Sequence, residues 1–167
     1  MNWKTGHISP WWNQSYKTLE YKYLPLTNTH DLERWNREGY QNILNLNGEL
    51  YNMFNPMPDY AEKFFTMFDW KDVGIAFYRM NTGDALPMHR DAFSSYKKMF
   101  NIIDSSQLWR AVVFLEDWKS GHYFEIDNRP LMPWVAGDWV SWNYDVPHFA
   151  ANIGIEPRYT MQITGHT

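Results

Sequence analysis

The sequence predicts a mainly β protein with supporting helices, folded as a jelly-roll barrel. Three observations carry this expectation. From Val73 onward, short apolar or alternating runs are separated by turn residues at regular spacing. Aromatic residues make up 19% of the chain, with ten tryptophans, and such side chains favour strands and sheet faces. Before Val73 the texture is different: two stretches carry helix signals and the remainder is irregular.

Residues 1–26 are polar-aromatic and interrupted by Pro10 and Pro25, with Trp11 and Trp12 expected to pack onto the body. Thr29 is placed to cap a short helix over 30–37, with Asp31 and Glu33 in its first turn and Gly39 beyond its end. The Asn- and Gly-rich stretch 42–55 reads as loops around a brief strand or helix. After Pro58 a helix is expected, with Tyr60, Phe64, Met67 and Phe68 on one face. Eight strands follow, at 73–80, 85–91, 108–117, 122–127, 131–135, 139–143, 148–153 and 158–165. The turns between them are of ordinary chemistry, such as Asn81-Thr82-Gly83-Asp84 and Lys119-Ser120-Gly121. Segment 92–107 is too long for a tight turn and reads as a loop or lid. No repeat or linker is visible. The expectation is one domain over 1–167, with 1–72 as helical and irregular support and 73–167 as the jelly-roll core.

Composition removes several function classes. The chain of 167 residues can bury a core without staples, and its lack of cysteine excludes disulfides, thiolate zinc sites and thiol nucleophiles. That lack suits a reducing compartment, so a cytoplasmic location is expected. The first twenty residues hold no apolar signal region, and no run approaches a membrane span. A net charge of −4 gives no global attraction to nucleic acid, although a local basic groove stays open.

The chemistry centres on His89-Arg90-Asp91. On an extended strand, residues i and i+2 share a face. His89 and Asp91 then project together, while Arg90 points away to a surface ion pair. A histidine and a carboxylate are two thirds of the site that non-haem ferrous iron prefers. Six histidines and eleven aspartates give roughly 0.4 such tripeptides by chance, so a third ligand is required. His148, opening a later strand, can reach it across a closed barrel. His7 and His30 lie outside the barrel region, His166 is in the tail, and His122 beside Gly121 reads as rim. A lone strand histidine is more often structural than a ligand. Downstream, Arg158, Thr160, Gln162 and Thr164 alternate with Tyr159, Met161 and Ile163. If the apolar face packs outward, an arginine sits in the interior, where it is costly unless it grips a carboxylate. Otherwise the polar face is the solvent face of an edge strand.

His89-x-Asp91, His148 and Arg158-x-Thr160, in this order, resemble the signature of the Fe(II)- and 2-oxoglutarate-dependent oxygenase superfamily. The resemblance spans about residues 73–165 and includes Gly137-Asp138-Trp139, Pro147-His148 and Asn152. Within the superfamily the chain is similar to the prolyl-hydroxylase-like group, in which a tyrosine about ten residues before the first histidine contacts the cosubstrate. Tyr78 stands eleven positions before His89. The resemblance implies a double-stranded β-helix, a cupin-like barrel. It implies that His89, Asp91 and His148 hold Fe(II) as the catalytic centre, and that Arg158, Thr160 and Tyr78 bind 2-oxoglutarate. It further implies O2 as cosubstrate, ascorbate as a stimulant, and hydroxylation with release of succinate and CO2. Asp91 implies a hydroxylase, since the halogenase branch lacks that carboxylate.

The partner expected is a small molecule or a peptide, read by the barrel mouth with 92–107 as the specificity lid. Nucleic acid is less favoured, and the oligomeric state is not written in the sequence. Arg110, Tyr123, Glu125, Trp139 and Trp142 read as packing more than contact. Two other classes stay open: a cupin-type metal dioxygenase or isomerase that does not use 2-oxoglutarate, and a non-enzymatic jelly-roll binding module.

Overall fold

The computed structural model describes residues 2–23, 29–40 and 45–167, and twelve strands run through these described residues. They are β1 (Trp3–His7), β2 (Lys22–Tyr23), β3 (Asn45–Leu46), β4 (Glu49–Asn52), β5 (Lys71–Met80) and β6 (Asp84–His89). The later six are β7 (Leu108–Phe114), β8 (His122–Ile126), β9 (Arg129–Pro130), β10 (Asp138–Asn143), β11 (His148–Asn152) and β12 (Arg158–His166). The helices are α1 (Thr29–Arg37) and α2 (Ser94–Phe100), with shorter 3-10 turns. The larger sheet has the order β1-β10-β7-β12-β5-β4-β2, and the smaller β3-β6-β11-β8-β9. Only the short β3–β6 pairing is parallel among them. The architecture is a double-stranded β-helix, the jelly-roll or cupin-like barrel.

Two apolar layers explain how the larger sheet is held. Period-2 alternation sends Phe77 of β5, Val113 of β7 and Tyr159, Met161 and Ile163 of β12 to the outer face, where they pack with Tyr16, Ala61 and Phe64. The same strands send Tyr78, Met80, Val112 and Phe114 inward, against Phe124 and Ile126 of the smaller sheet. Burying a side chain of the size of Met161 or Ile163 contributes roughly 1.5–3 kcal/mol. β12 lies between β5 and β7, so its polar face is interior and not the solvent face of an edge strand.

Several expectations are corrected. The segment before Val73 supplies strands as well as helical turns: β1 pairs with β10 and β4 pairs with β5. β1 carries a weak signal because it is an edge strand holding Gly6. A Cβ at Gly6 would lie 2.4 Å from the Trp139 indole, so glycine is what lets that ring approach. The helix after Pro58 is a 3-10 helix, Asp59–Thr66. With three residues per turn it buries Ala61 and Phe64 fully, while the other members of the expected face, Tyr60, Met67 and Phe68, pack against the same core partly buried. No strand forms over 131–135. Pro133 has no N–H to give a ladder, and the pairing moves back to β9, where Arg129 opposes Ile126. Strand β7 stops at Phe114, and β6 stops at His89. In 42–55 the brief strands are β3 and β4, while residues 41–44 lie outside the described residues, as do Pro25 and the side chain of Thr29. Trp11 and Trp12 do pack on the body, donating to the carbonyls of Tyr60 (3.1 Å) and Leu115 (3.0 Å).

Candidate metal centre

The centre is built by one cross-strand pair and one residue beyond a strand end. β6 and β11 pair antiparallel with His89 opposite His148, and the two ring centroids are 4.2 Å apart. Asp91 lies two residues after β6 and folds back toward both rings. One donor atom from each residue falls within 4.8 Å of the others. His89 Nε2 is 3.9 Å from Asp91 Oδ1, and His148 Nε2 is 3.6 Å from Asp91 Oδ2. Among the described residues this is the one group of three His, Asp or Glu side chains so arranged.

The surroundings fix how these groups point. His89 Nδ1 donates to the Pro87 carbonyl at 2.7 Å, and His148 Nδ1 donates to the Val146 carbonyl at 3.1 Å. With the proton on Nδ1, each Nε2 presents a lone pair to the centre, which is how metal-binding imidazoles are oriented. Trp142 Nε1 donates to Asp91 Oδ2 at 3.0 Å, and Arg110 Nε lies 3.5 Å from the same oxygen. Trp142 and Arg110 are themselves cross-strand partners on β10 and β7. From α1, the Trp35 ring stands edge-on to His89 at 6.0 Å.

Charge states follow from burial. His89 is 7% and His148 4% exposed. Burial pushes the His89 imidazole down to about 4, helped by His148 and opposed by Asp91. It also lowers His148, again against Asp91. Burial alone would raise the Asp91 carboxyl, but Arg110, the two imidazoles and the Trp142 indole outweigh it and leave it at about 2. At neutral pH the site therefore offers two neutral imidazoles and a carboxylate. That donor set suits Fe(II) and other first-row divalent ions, with coordination positions left for further ligands.

A cavity of about 170 Å³ opens beside the centre, lined by His89, Asp91, Tyr78, Asn47, Arg110 and Gln162 among others. Tyr78 donates to Asn47 Oδ1 at 2.8 Å, and burial raises its phenol, with Arg158 opposing, so it stays neutral. Arg158 and Thr160 follow on β12: Thr160 pairs with Tyr78 and Arg158 with Met80. They are 3% and 1% exposed. Burial lowers Arg158 to about 10, with Tyr78 opposing, which leaves it charged at neutral pH. Its Nη1 donates to the Tyr123 carbonyl at 2.8 Å. Its Nε and the Thr160 hydroxyl find no hydrogen-bond partner among the described residues. Neither residue lines the metal-side cavity.

The expected site residues thus fall in two groups: His89, Asp91 and His148 meet at one point, and Arg158 and Thr160 lie on β12 alongside Tyr78 of β5. His122 is outside the cluster, but it is buried, not at the rim. Its Nε2 is 2.9 Å from the Glu156 carbonyl, and its ring stacks on Trp134. Asn152 is a turn-holding residue, donating to the Met80 and Glu156 carbonyls at 2.9 and 2.8 Å and accepting from Gly154 N. Arg90 makes its surface ion pair with Asp145 at 3.1 Å. Trp139 packs on Phe68, and Tyr123 donates to Glu125. Arg110 and Trp142, read from sequence as packing, contact Asp91 directly. Their alternation phase pointed inward, but only the β7–β10 register brings them to the same carboxylate.

No protein-family model matches the sequence, and no curated protein matches it. Solved structures do match. A prolyl-4-hydroxylase from Pseudomonas putida superposes with a TM-score of 0.60 at 16% identity, over 99% of this chain and 92% of that one. A cupin protein from Bacteroides fragilis matches at 0.39 and 15% identity, covering 57% and 66%. A predicted oxalate decarboxylase from Thermotoga maritima matches at 0.44 and 11% identity, covering 72% and 81%. At these identities the likeness is one of fold.

Proposed function

We propose that this chain is an Fe(II)- and 2-oxoglutarate-dependent oxygenase that hydroxylates an amino-acid or peptide side chain. The observation that carries the reading is a second, unfinished constellation beside the metal centre. A buried guanidinium and a buried hydroxyl leave Arg158 Nε and Thr160 Oγ1 without hydrogen-bond partners among the described residues, at a cost a native interior accepts only for a reason. A carboxylate satisfies both: it accepts from the guanidinium fork and from the hydroxyl together. In this role Arg158 and Thr160 grip the far carboxylate of 2-oxoglutarate, and neutral Tyr78 borders its path. His89, Asp91 and His148 hold the iron. Trp142 and Arg110 keep the Asp91 carboxylate in one orientation, and Trp35 shields His89 from water.

When bound, iron and 2-oxoglutarate would supply the oxidising chemistry: one oxygen atom of O2 turns a substrate C–H bond into an alcohol, and the other enters the succinate formed as 2-oxoglutarate loses CO2. The P. putida neighbour is a prolyl-4-hydroxylase, which supports an amino-acid or peptide substrate for this fold. On this reading the chain acts as one unit over 1–167 in the cytoplasm, with a small molecule or peptide as its partner. No helix among the described residues is long and apolar enough to cross a membrane.

One observation favours a second reading, a cupin-type metal enzyme that does not use 2-oxoglutarate: the metal-side cavity does not reach Arg158 or Thr160. Succinate release from 2-oxoglutarate, measured with Fe(II), ascorbate and a panel of amino acids and peptides, separates the two. Uncoupled or substrate-stimulated succinate is the expected result. Stoichiometric metal uptake without any succinate or cosubstrate binding points to the second reading.

A further inference from the structure

A second cavity, also about 170 Å³, lies between α2, the turn after β4 and the strands β5 and β12. Met53, Phe54, Tyr96, Met99, Phe100 and Gln162 make most of its wall, and no charged side chain among the described residues lines it. The metal-side cavity is the opposite, bordered by Asp31, Arg90, Asp91 and Arg110. Gln162 lines both. Its Oε1 lies 3.5 Å from Arg110 Nη1, so the wall the two cavities share carries a polar pair whose arginine also contacts Asp91.

The roof of the second cavity is attached to the centre by the chain itself. Two residues after Asp91, buried Phe93 takes a left-handed conformation (φ +51°) beneath the Arg110 guanidinium, and α2 begins at the next residue. Tyr96 tethers α2 to the start of β5 by donating to the carbonyls of Lys71 and Asp72 at 3.2 and 2.9 Å. Yet α2 buries none of its own side chains, and Met99 is 53% exposed. A helix pinned at that distance over an apolar space leaves the space for something else to fill. A cavity of about 150 Å³ lined by apolar side chains takes a benzene. This one therefore has room for one side chain of leucine, proline or phenylalanine size.

We propose that this cavity receives an uncharged, apolar side chain of the prime substrate, with Gln162 as the polar contact where the substrate passes to the metal. The proposal rests on the oxygenase reading for the identity of the reacting centre. It narrows the substrate class to an apolar residue in amide linkage and excludes acidic and basic side chains, which would lose their hydration with no counter-charge in the wall. Met99 and Phe100 on α2 are then specificity-determining residues.

The test uses the acetylated amides of leucine, proline and phenylalanine, with those of aspartate and lysine as counterparts. Saturation-transfer NMR on the metal-free protein reads cavity binding without any turnover. Mn(II) at the centre, whose binding is followed separately by water-proton relaxation, reads proximity through relaxation of the probe protons. At least one apolar amide is expected to show saturation transfer at least fivefold above the charged ones, and selective relaxation by Mn(II). Met99→Asp, at a half-exposed position, is expected to remove at least four fifths of that signal, and Lys98→Ala, on the exposed side of α2, to leave it. Equal signals from apolar and charged amides, no signal from any, or a signal indifferent to Met99→Asp overturns the proposal. Cavity binding with Mn(II) bound but no relaxation of the probe also overturns it, since the cavity then does not serve the metal. Failure of Mn(II) to bind at all is read by the water protons and counts against the metal centre itself, and with it against a cavity that feeds it.

Discussion

The metal centre and the Arg158–Thr160 pair sit on the same barrel and are both buried, but their hydrogen bonding is opposite. Around His89, Asp91 and His148, both Nδ1 atoms are held by backbone carbonyls and Asp91 Oδ2 by the Trp142 indole, so that two Nε2 lone pairs and the carboxylate face inward. Among the described residues the neighbouring Arg110 Nε makes an ion-pair contact with Asp91 but no hydrogen bond. Around Arg158 and Thr160, two buried polar atoms have no hydrogen-bond partner among the described residues. The first arrangement is held in place by protein partners and could take a metal ion. The second lacks an acceptor as large as a carboxylate. On the proposed reading the contrast separates a site set up by the fold from one completed by a ligand, and each side of it can be broken independently.

The largest effects belong to the metal centre. His89→Ala and His148→Ala should each weaken divalent-metal binding by more than about 100-fold, beyond what loss of an outer contact costs. His122→Ala, although buried, should leave metal affinity unchanged in the same anaerobic titration. Loss of metal binding in that variant would undo the assignment. Trp142→Phe removes the indole N–H from Asp91 and should cost roughly 10–100-fold in affinity with little change in fold.

The next contrast is in stability. Asn152→Ala strips three hydrogen bonds from backbone groups and should cost about 3 kcal/mol in denaturant unfolding. Thr160→Val, near-isosteric, removes a hydroxyl that has no partner, so the ligand-free protein should be unchanged or about 1 kcal/mol more stable. A large loss in that variant would mean that the hydroxyl is satisfied and the site is not waiting for a ligand.

A further effect is on pH. His89, His122 and His148 are all lowered in the fold, burial being the leading cause. Below about 6.5 the unfolded chain takes up protons that the folded protein does not. Stability of the metal-free protein should therefore fall as pH drops from about 6.5 toward 4. Urea midpoints at pH 7.5, 6 and 5 that stay level would contradict neutral imidazoles in the fold.

What could be read from the sequence follows the range of the interactions. The inward face of β12 was legible because period-2 alternation is local, and so were the order and facing of His89 and Asp91. Asp91 nonetheless reaches the centre from beyond the strand end, not from within it. The roles of Trp142 and Arg110 were not legible: each is an ordinary inward residue until the register across β7 and β10 sets both against one carboxylate. β1 was missed because an edge strand with Gly6 has little apolar alternation of its own. The 3-10 form after Pro58 was missed because Tyr60, Phe64, Met67 and Phe68 also satisfy the α-helical stripe.

The central claim is that Arg158 and Thr160 complete a carboxylate site served by the metal centre. Anaerobic calorimetry of 2-oxoglutarate into Fe(II)-loaded protein, wild type against Arg158→Ala and Thr160→Val, tests it most directly. The account predicts one equivalent bound by wild type, weakened about tenfold by Thr160→Val and at least 100-fold by Arg158→Ala, with near-ultraviolet circular dichroism confirming that both variants fold. Binding of equal strength in all three proteins, or no binding to an Fe(II)-loaded wild type, would contradict it.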